Sequence, residues 1–170
     1  MTSRPLDLSP EHTAFVIHRE AKLAMIDLVL AAARFDTMIT GCLVLGFGMS
    51  LDQGSILLEN FDVSTKVLKL KKLCLHSGES RRAQRLGKLK KALERHSHAR
   101  NTIAHATCAG THKLDPSFLI FSPARAFVGR PSEMELVAIP LDVIRSDTRF
   151  YHRSAQRAAR IYDFLVARRG

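Results

Sequence analysis

The sequence predicts an all-α protein in the main, an antiparallel bundle of about five helices with a small β-hairpin inserted before the last helix. Two observations predict this fold. Apolar residues recur at intervals of three and four along most of the chain, and only the segment 117–139 contains short β-type runs instead. The chain has 170 residues, of which 46% are hydrophobic and 25% charged, as expected for one soluble domain spanning 1–170.

Capping signals and apolar spacing predict the first two helices. Ser9-Pro10-Glu11 combines a capping hydroxyl, a first-turn proline and an acid, and the apolar spacing behind it continues to about Arg34. Asp36 can cap a second helix. The segment 23–49 is the most apolar in the chain, but three charged residues interrupt it, among them Asp27. We therefore predict a buried hairpin of helices and no membrane span.

The remaining elements follow in order. A short helical piece is predicted at 53–59, and Asp62 opens a third helix that Gly78 ends. Glu79-Ser80 opens the fourth and longest helix, which we expect to reach about Cys108. The runs 118–121 and 135–139 are predicted as the two strands of the hairpin at 117–139, and the last helix begins at 140–142.

The positive charge is concentrated in one segment. Residues 63–100 contain twelve Lys or Arg and two acids, a balance of +10 that equals the net charge of the whole chain. Such a surface favours a polyanionic partner, although a solvated lysine-rich face that binds nothing specific has the same composition. The residues predicted to bind nucleic acid are Lys66, Lys69, Arg81, Arg82, Arg85, Lys88, Lys90, Lys91 and Arg95.

Near the end of the fourth predicted helix, the segment ARNTIAHA contains a candidate catalytic set. Asn101 and His105 are four residues apart and share a helix face, whereas Arg100 lies about 140° away on the edge of the apolar stripe. Histidine can take the proton of a ribose 2′-OH, and arginine can hold the phosphate and stabilise its developing charge. Asparagine can orient the histidine or bind phosphate. None of these roles needs a metal.

The segment ARNTIAHA resembles the motif of the HEPN superfamily, in which Arg and a polar residue precede His on a late helix of an α-bundle. The resemblance implies a metal-independent endoribonuclease of a toxin–antitoxin or defence system. It also implies a homodimer whose two motifs face each other, with an antitoxin or regulator protein as a further partner. Arg100 would then bind phosphate, Asn101 would support the site, and His105 would transfer the proton. About six residues carry the specific match.

Two other interpretations compete for the same residues. Asp27, if buried, would need a partner, and Arg100 is a candidate for that structural ion pair. His98, His105 and Cys108 share a side of the predicted helix, so a metal site is conceivable there. No carboxylate accompanies them, and we therefore expect neither a metal nor another cofactor.

The sequence leaves three classes of function open. The first is the HEPN-like endoribonuclease, with RNA as the partner. The second is a non-catalytic nucleic-acid-binding or regulatory bundle that uses the 63–100 surface, and the third is a structural interaction protein with an acidic protein partner. Three cysteines without CxxC spacing and an N-terminus without an apolar core favour a reducing, cytoplasmic location.

Overall fold

The computed structural model describes residues 6–123 and 136–168. The fold is predominantly α-helical, as predicted, but its antiparallel sheet has four strands and is more than a single hairpin. The helices are α1 (Arg19–Phe47), α2 (Leu51–Leu58), α3 (Val63–His76), α4 (Ser80–His96), α5 (His98–His105) and α6 (Leu141–Ala167). The strands, which pair in chain order, are β1 (Thr13–Ala14), β2 (Ala106–His112), β3 (Phe118–Pro123) and β4 (Val137–Pro140).

The chain divides into two compact units, and the single domain expected over 1–170 stays a prediction. We call Met1–Val29 with His98–Thr148 the sheet unit, and Leu30–Ser97 with Arg149–Gly170 the helical unit. All four strands and α5 belong to the sheet unit. The helical unit contains α2, α3 and α4. Residues of α1 and of α6 contribute to both.

The start predicted for the first helix, at Ser9, is wrong, because α1 begins only at Arg19. Pro10–His12 forms a single 3-10 turn, and β1 follows it and pairs antiparallel with β2. Gly110 permits this pairing, because a Cβ atom there would lie 1.9 Å from the carbonyl oxygen of Ala14. The φ angle of Gly110 is +141°, which side chains rarely tolerate. The pairing of β1 with β2 therefore depends on the glycine at position 110.

The helix break predicted around Arg34 and Asp36 does not occur, because α1 is continuous from Arg19 to Phe47. Asp36 caps nothing there; its carboxylate accepts hydrogen bonds from Nζ of Lys66 at 2.9 and 3.0 Å. By length and composition α1 is apolar enough to cross a membrane, with a mean hydropathy of 1.7 in its most apolar window. Within the helical unit, however, it buries Phe35 and Ile39 completely, as the central helix of a packed core does.

The fourth helix ends earlier than predicted. Ser97 interrupts the helical run after α4, α5 stops at His105, and the residues that follow form β2. The extension of the helix to Cys108 is therefore wrong. The apolar strand β3 supplies a hydrogen-bonding partner along Ala106–His112, and β-branched residues in that run fit a pleated surface as well as a helix.

The other predicted elements are confirmed. Asp62 caps α3 by accepting a 2.7 Å hydrogen bond from the backbone N–H of Thr65, and Gly78 follows α3 with a φ of +76°. The final helix and the strands at 118–123 and 137–140 lie where the sequence placed them. The loop predicted between those strands lies outside the described residues.

Substitution of Gly110 by alanine should destabilise the protein by about 3 kcal/mol, because it adds a backbone clash to an unfavourable φ angle. Gly78→Ala is the matched control, since its φ is also positive but nothing lies within 4 Å of the new Cβ. We expect the control to cost only about 1 kcal/mol. Urea unfolding of both variants measures the difference, and equal losses would show that the approach to Ala14 does not constrain the fold.

Candidate functional site

The predicted catalytic residues lie on α5, a short helix of the sheet unit between Ser97 and β2. Ala99 is buried at 1% exposure and fixes the inner face of this helix, which packs against β2 and β3. Asn101 and His105 are exposed, and Arg100 is half-buried. The burial pattern therefore places the histidine on the solvent side of α5, as the helical-wheel argument predicted.

The side chain of Arg100 turns towards Asn101. Its Nη1 donates a 3.1 Å hydrogen bond to Oδ1 of Asn101. This contact moves the guanidinium from the edge of the apolar stripe towards the face that carries His105, one helical turn beyond Asn101. An ideal helical wheel separates the α-carbons of Arg100 and His105 by about 140°. The long side chain of Arg100 offsets part of that separation for its guanidinium group.

The hydrogen-bonding capacity of this face is largely unused. Asn101 accepts through Oδ1, and its amide NH₂ has no acceptor among the described residues. In the same part of the chain, no group hydrogen-bonds the imidazole of His105. The arrangement therefore offers a guanidinium, an amide and an imidazole to a ligand in solvent. An oxyanion could accept from the first two while the imidazole exchanges a proton.

The structural ion pair considered for Arg100 is not formed. Asp27 is exposed on α1, so it does not need a buried partner, and within residues 6–123 and 136–168 no salt bridge joins it to Arg100. Asp27 is therefore not the buried carboxylate that the ion-pair interpretation required. Arg100 is consequently not committed to an acidic partner in the described structure.

The metal site considered for His98, His105 and Cys108 loses its geometric basis, because Cys108 lies on β2 and not on the helix. Burial raises the pKa of the Cys108 thiol, which favours the protonated form that binds metals poorly. No group of three or more His, Cys, Asp or Glu in the described ranges is arranged to hold a metal ion.

A histidine cluster in the sheet unit was not predicted. The rings of His12 and His112 stack with centroids 5.9 Å apart, and His112 is 3% exposed. Nε2 of His112 is 2.9 Å from the backbone oxygen of Asp7, and its Nδ1 is 3.3 Å from the backbone N–H of Asp115. A carbonyl only accepts and an N–H only donates, so these contacts fix the neutral tautomer with its proton on Nε2. Nε2 thereby holds the N-terminal segment at Asp7, whereas Nδ1 holds the turn at Asp115 that follows β2.

The structure separates the predicted nucleic-acid-binding residues into paired and free cations. Lys66 is 5% exposed and bonded to Asp36, so its prediction as a surface contact is wrong. Lys69 lies 4.3 Å from the ring centroid of Phe61, and Arg82 bonds the carboxylate of Glu79. Lys90 bonds Glu94 at 2.6 Å, which lowers the pKa of that carboxyl group. The exposed residues of the set are Arg81, Arg85, Lys88, Lys91 and Arg95.

Three of these cations, Arg85, Lys88 and Lys91, line two grooves of the helical unit. The α3–α4 groove, of about 410 Å³, is lined by four lysines: Lys71, Lys88, Lys90 and Lys91. Gly87 of α4 also lines this groove, and because it has no side chain the Lys71 side chain can lie across α4 at that point. Nζ of Lys71 is only 3.6 Å from the position that a Cβ atom of residue 87 would occupy. The α4–α6 groove, of about 680 Å³, adds arginines of α6 that the sequence prediction did not include. These arginines line the groove because α6 lies beside α4 in the fold. The spacing of residues within 63–100 carries no information about that arrangement.

Comparison with known proteins gives no relative for this chain: no protein-family model, no curated protein and no solved structure matches it.

Diethyl pyrocarbonate, which modifies accessible neutral imidazoles, should distinguish the two kinds of histidine. We expect His105 to be modified rapidly in the native protein and His112 to be protected, because both its ring nitrogens are hydrogen-bonded. Peptide mass spectrometry measures each site. In urea both histidines should react alike, and a native His105 as slow as His112 would contradict its solvent exposure.

Proposed function

We propose that this chain is a HEPN-like, metal-independent endoribonuclease of a toxin or defence type, built as an antiparallel helical bundle and acting as a cytoplasmic homodimer. The observation that carries the proposal is the Arg100–Asn101 hydrogen bond on the exposed face of α5, one turn before His105, whose imidazole has no hydrogen-bond partner among the described residues. The net charge of +10 supports a polyanionic substrate. RNA is the substrate class because the 2′-OH supplies the nucleophile that this small set of groups lacks.

In the proposed reaction, the neutral imidazole of His105 removes the proton from a ribose 2′-OH. The 2′-oxygen attacks the adjacent phosphorus, the bond to the 5′-oxygen breaks, and the chain ends in a 2′,3′-cyclic phosphate. Arg100 donates to the non-bridging oxygens as their charge grows, and the amide NH₂ of Asn101 can add a further donor. The leaving 5′-oxygen takes a proton from solvent or, in the homodimer, from the imidazolium of the second copy.

The homodimer explains how so few groups could suffice. One α5 offers a single imidazole, whereas acid and base roles require two protonation states at the same time. Two copies of the motif facing each other would supply one imidazole for each role. They would also provide two guanidinium groups around a single phosphate, each prepositioned by its own Asn101.

The proposal is tested by RNA cleavage in EDTA. Wild-type protein is incubated with a single-stranded RNA, beside His105→Ala and Arg100→Ala variants. We expect the His105 variant to lose about 10²–10⁴-fold in rate and the Arg100 variant about 10²-fold or more. His98→Ala is the matched control, because it removes another exposed α5 imidazole outside the motif, and it should cleave like wild type.

The product ends and the fold of the variants decide the interpretation. Cleavage should leave 2′,3′-cyclic phosphates, and circular dichroism should show the same helix content in all four proteins. Cleavage that persists in both motif variants would assign it to another site or a contaminant. Absence of cleavage by wild type, with folded protein that still binds RNA, would favour the second candidate.

The second candidate is a non-catalytic nucleic-acid-binding or regulatory protein. The observation that favours it is the α3–α4 groove, whose four lysines include the exposed Lys88 and Lys91. Lysine side chains arranged along a shallow surface neutralise phosphates without reading bases. This function requires nothing of α5.

The salt dependence of RNA binding tests the second candidate. Each phosphate contact on a single strand contributes about 0.7 to the slope of log affinity against log salt, so Lys88→Gln with Lys91→Gln, which removes the two exposed lysines of the groove, should reduce the slope by about 1.4. Lys22→Gln is the control, because it removes an exposed charge on α1 outside the groove. An unchanged slope in the double variant would remove the α3–α4 groove from the binding surface.

A further inference from the structure

The α4–α6 groove differs from the α3–α4 groove in its apolar lining. Five of its lining residues are apolar, and we call them its floor: Leu86, Leu89, Ala92, Phe150 and Ile161. Four of the five are aliphatic, and one face of the Phe150 ring is already covered by His96, at a centroid distance of 4.2 Å and an interplanar angle of 15°. Bases bind proteins mainly by stacking on open aromatic or guanidinium planes. This floor instead suits aliphatic side chains.

The cations of the groove occupy both walls. Arg85 and Lys88 come from α4, and Arg157 and Arg160 come from α6. All four are exposed, and among the described residues none of them has a carboxylate within salt-bridge distance. Arg82 also lines the groove, but Glu79 neutralises it. The free charge is therefore two cations on each side of an apolar strip.

The length of the groove is set by the two helices that form it. It extends from Arg82 to Ala92 on α4 and from Phe150 to Ile161 on α6. At 1.5 Å per residue these spans correspond to about 15 Å, the length of about three helical turns. A segment that fills this length with one apolar stripe would bury side chains spaced three and four residues apart.

We propose that the α4–α6 groove binds an acidic amphipathic helix of a partner protein. Such a helix places apolar side chains on the floor and carboxylates on both flanks, where each wall offers two free cations. A single nucleic-acid strand carries its phosphates along one edge and would satisfy one wall only. The inference goes beyond the proposed nuclease function, because it assigns a protein-docking role to residues of the helical unit that have no part in the α5 chemistry.

The test uses a fluorescein-labelled synthetic peptide of about fourteen residues, with Leu at helix positions i, i+3, i+4 and i+7 and Glu on both flanks of that stripe. A control peptide has the same composition, with its leucines distributed around the helix. Fluorescence anisotropy with the full-length protein should show saturable binding of the amphipathic peptide. The control peptide should bind at least about tenfold more weakly, because it cannot cover the floor.

Charge-reversal variants localise the binding. Arg85→Glu with Arg157→Glu reverses one exposed cation on each wall and should weaken the amphipathic peptide at least about tenfold. Arg81→Glu with Arg153→Glu is the matched control, because it makes the same change in net charge on the same two helices outside the groove. That control should bind the peptide like wild type.

Three results would overturn the proposal. Equal binding of both peptides would indicate non-specific attraction of acids to a cationic protein, and equal weakening in both double variants would show the same. If oligouridine bound in place of the peptide and lost affinity only in the groove variant, the site would be a nucleic-acid site. RNA cleavage is measured separately and depends on Arg100 and His105, so failure of the docking proposal and failure of the nuclease proposal remain distinguishable.

Discussion

The sheet unit depends on one close backbone approach, between Gly110 of β2 and the carbonyl of Ala14 in β1. No other residue type can occupy position 110 without moving that carbonyl. The approach lets the N-terminal segment pair with β2 and brings Asp7 to the ring of His112. The pairing of β2 with β3, which begins at Ala106, sets where α5 ends. His105 is the last residue of α5 because the strand begins at the next one.

The helical unit resolves a different conflict, since the segment with the largest excess of positive charge must also bury apolar surface. Lys66 is the residue at which the two demands meet. It is 5% exposed, and its ammonium group is stabilised by the carboxylate of Asp36 on α1. Breaking such a pair is costly because the remaining charge stays buried. The other cations of this segment avoid this penalty by remaining exposed or half-buried, and several of them lie at the rims of the two grooves.

Local signals in the sequence were sufficient wherever an element is determined by its own residues. The Asp62 cap and Gly78 mark the two ends of α3, and the regular apolar stripe of the last helix predicts α6. On α5, the exposed positions of Asn101 and His105 followed from helix periodicity alone, even though the helix was predicted to be longer. The residues that carry the candidate chemistry could therefore be placed on one face before any tertiary contact was known.

Sequence signals gave wrong predictions where an element is determined by a partner that lies far away in the sequence. The Ala106–His112 run alternates weakly and becomes a strand because β3 pairs with it. Asp36 resembles a cap, but its partner is Lys66, thirty residues away, so α1 continues through the expected break. The same limit applies to the α4–α6 groove, because the spacing of arginines along the last helix does not show that Arg157 and Arg160 line one groove with α4.

The two proposed sites make different demands on the same positive charge. A phosphate held by Arg100 needs a fixed guanidinium, and the hydrogen bond to Asn101 limits the conformations that this side chain must lose on binding. The walls of the α4–α6 groove need only a field of the right sign on both sides of an apolar strip, because docked apolar side chains supply the specificity. Salt should therefore weaken docking through the exposed rim cations, whereas the apolar contacts persist. A groove that selects its partner helix by leucine spacing would bind that helix in preference to RNA, even though the net charge of the protein attracts RNA.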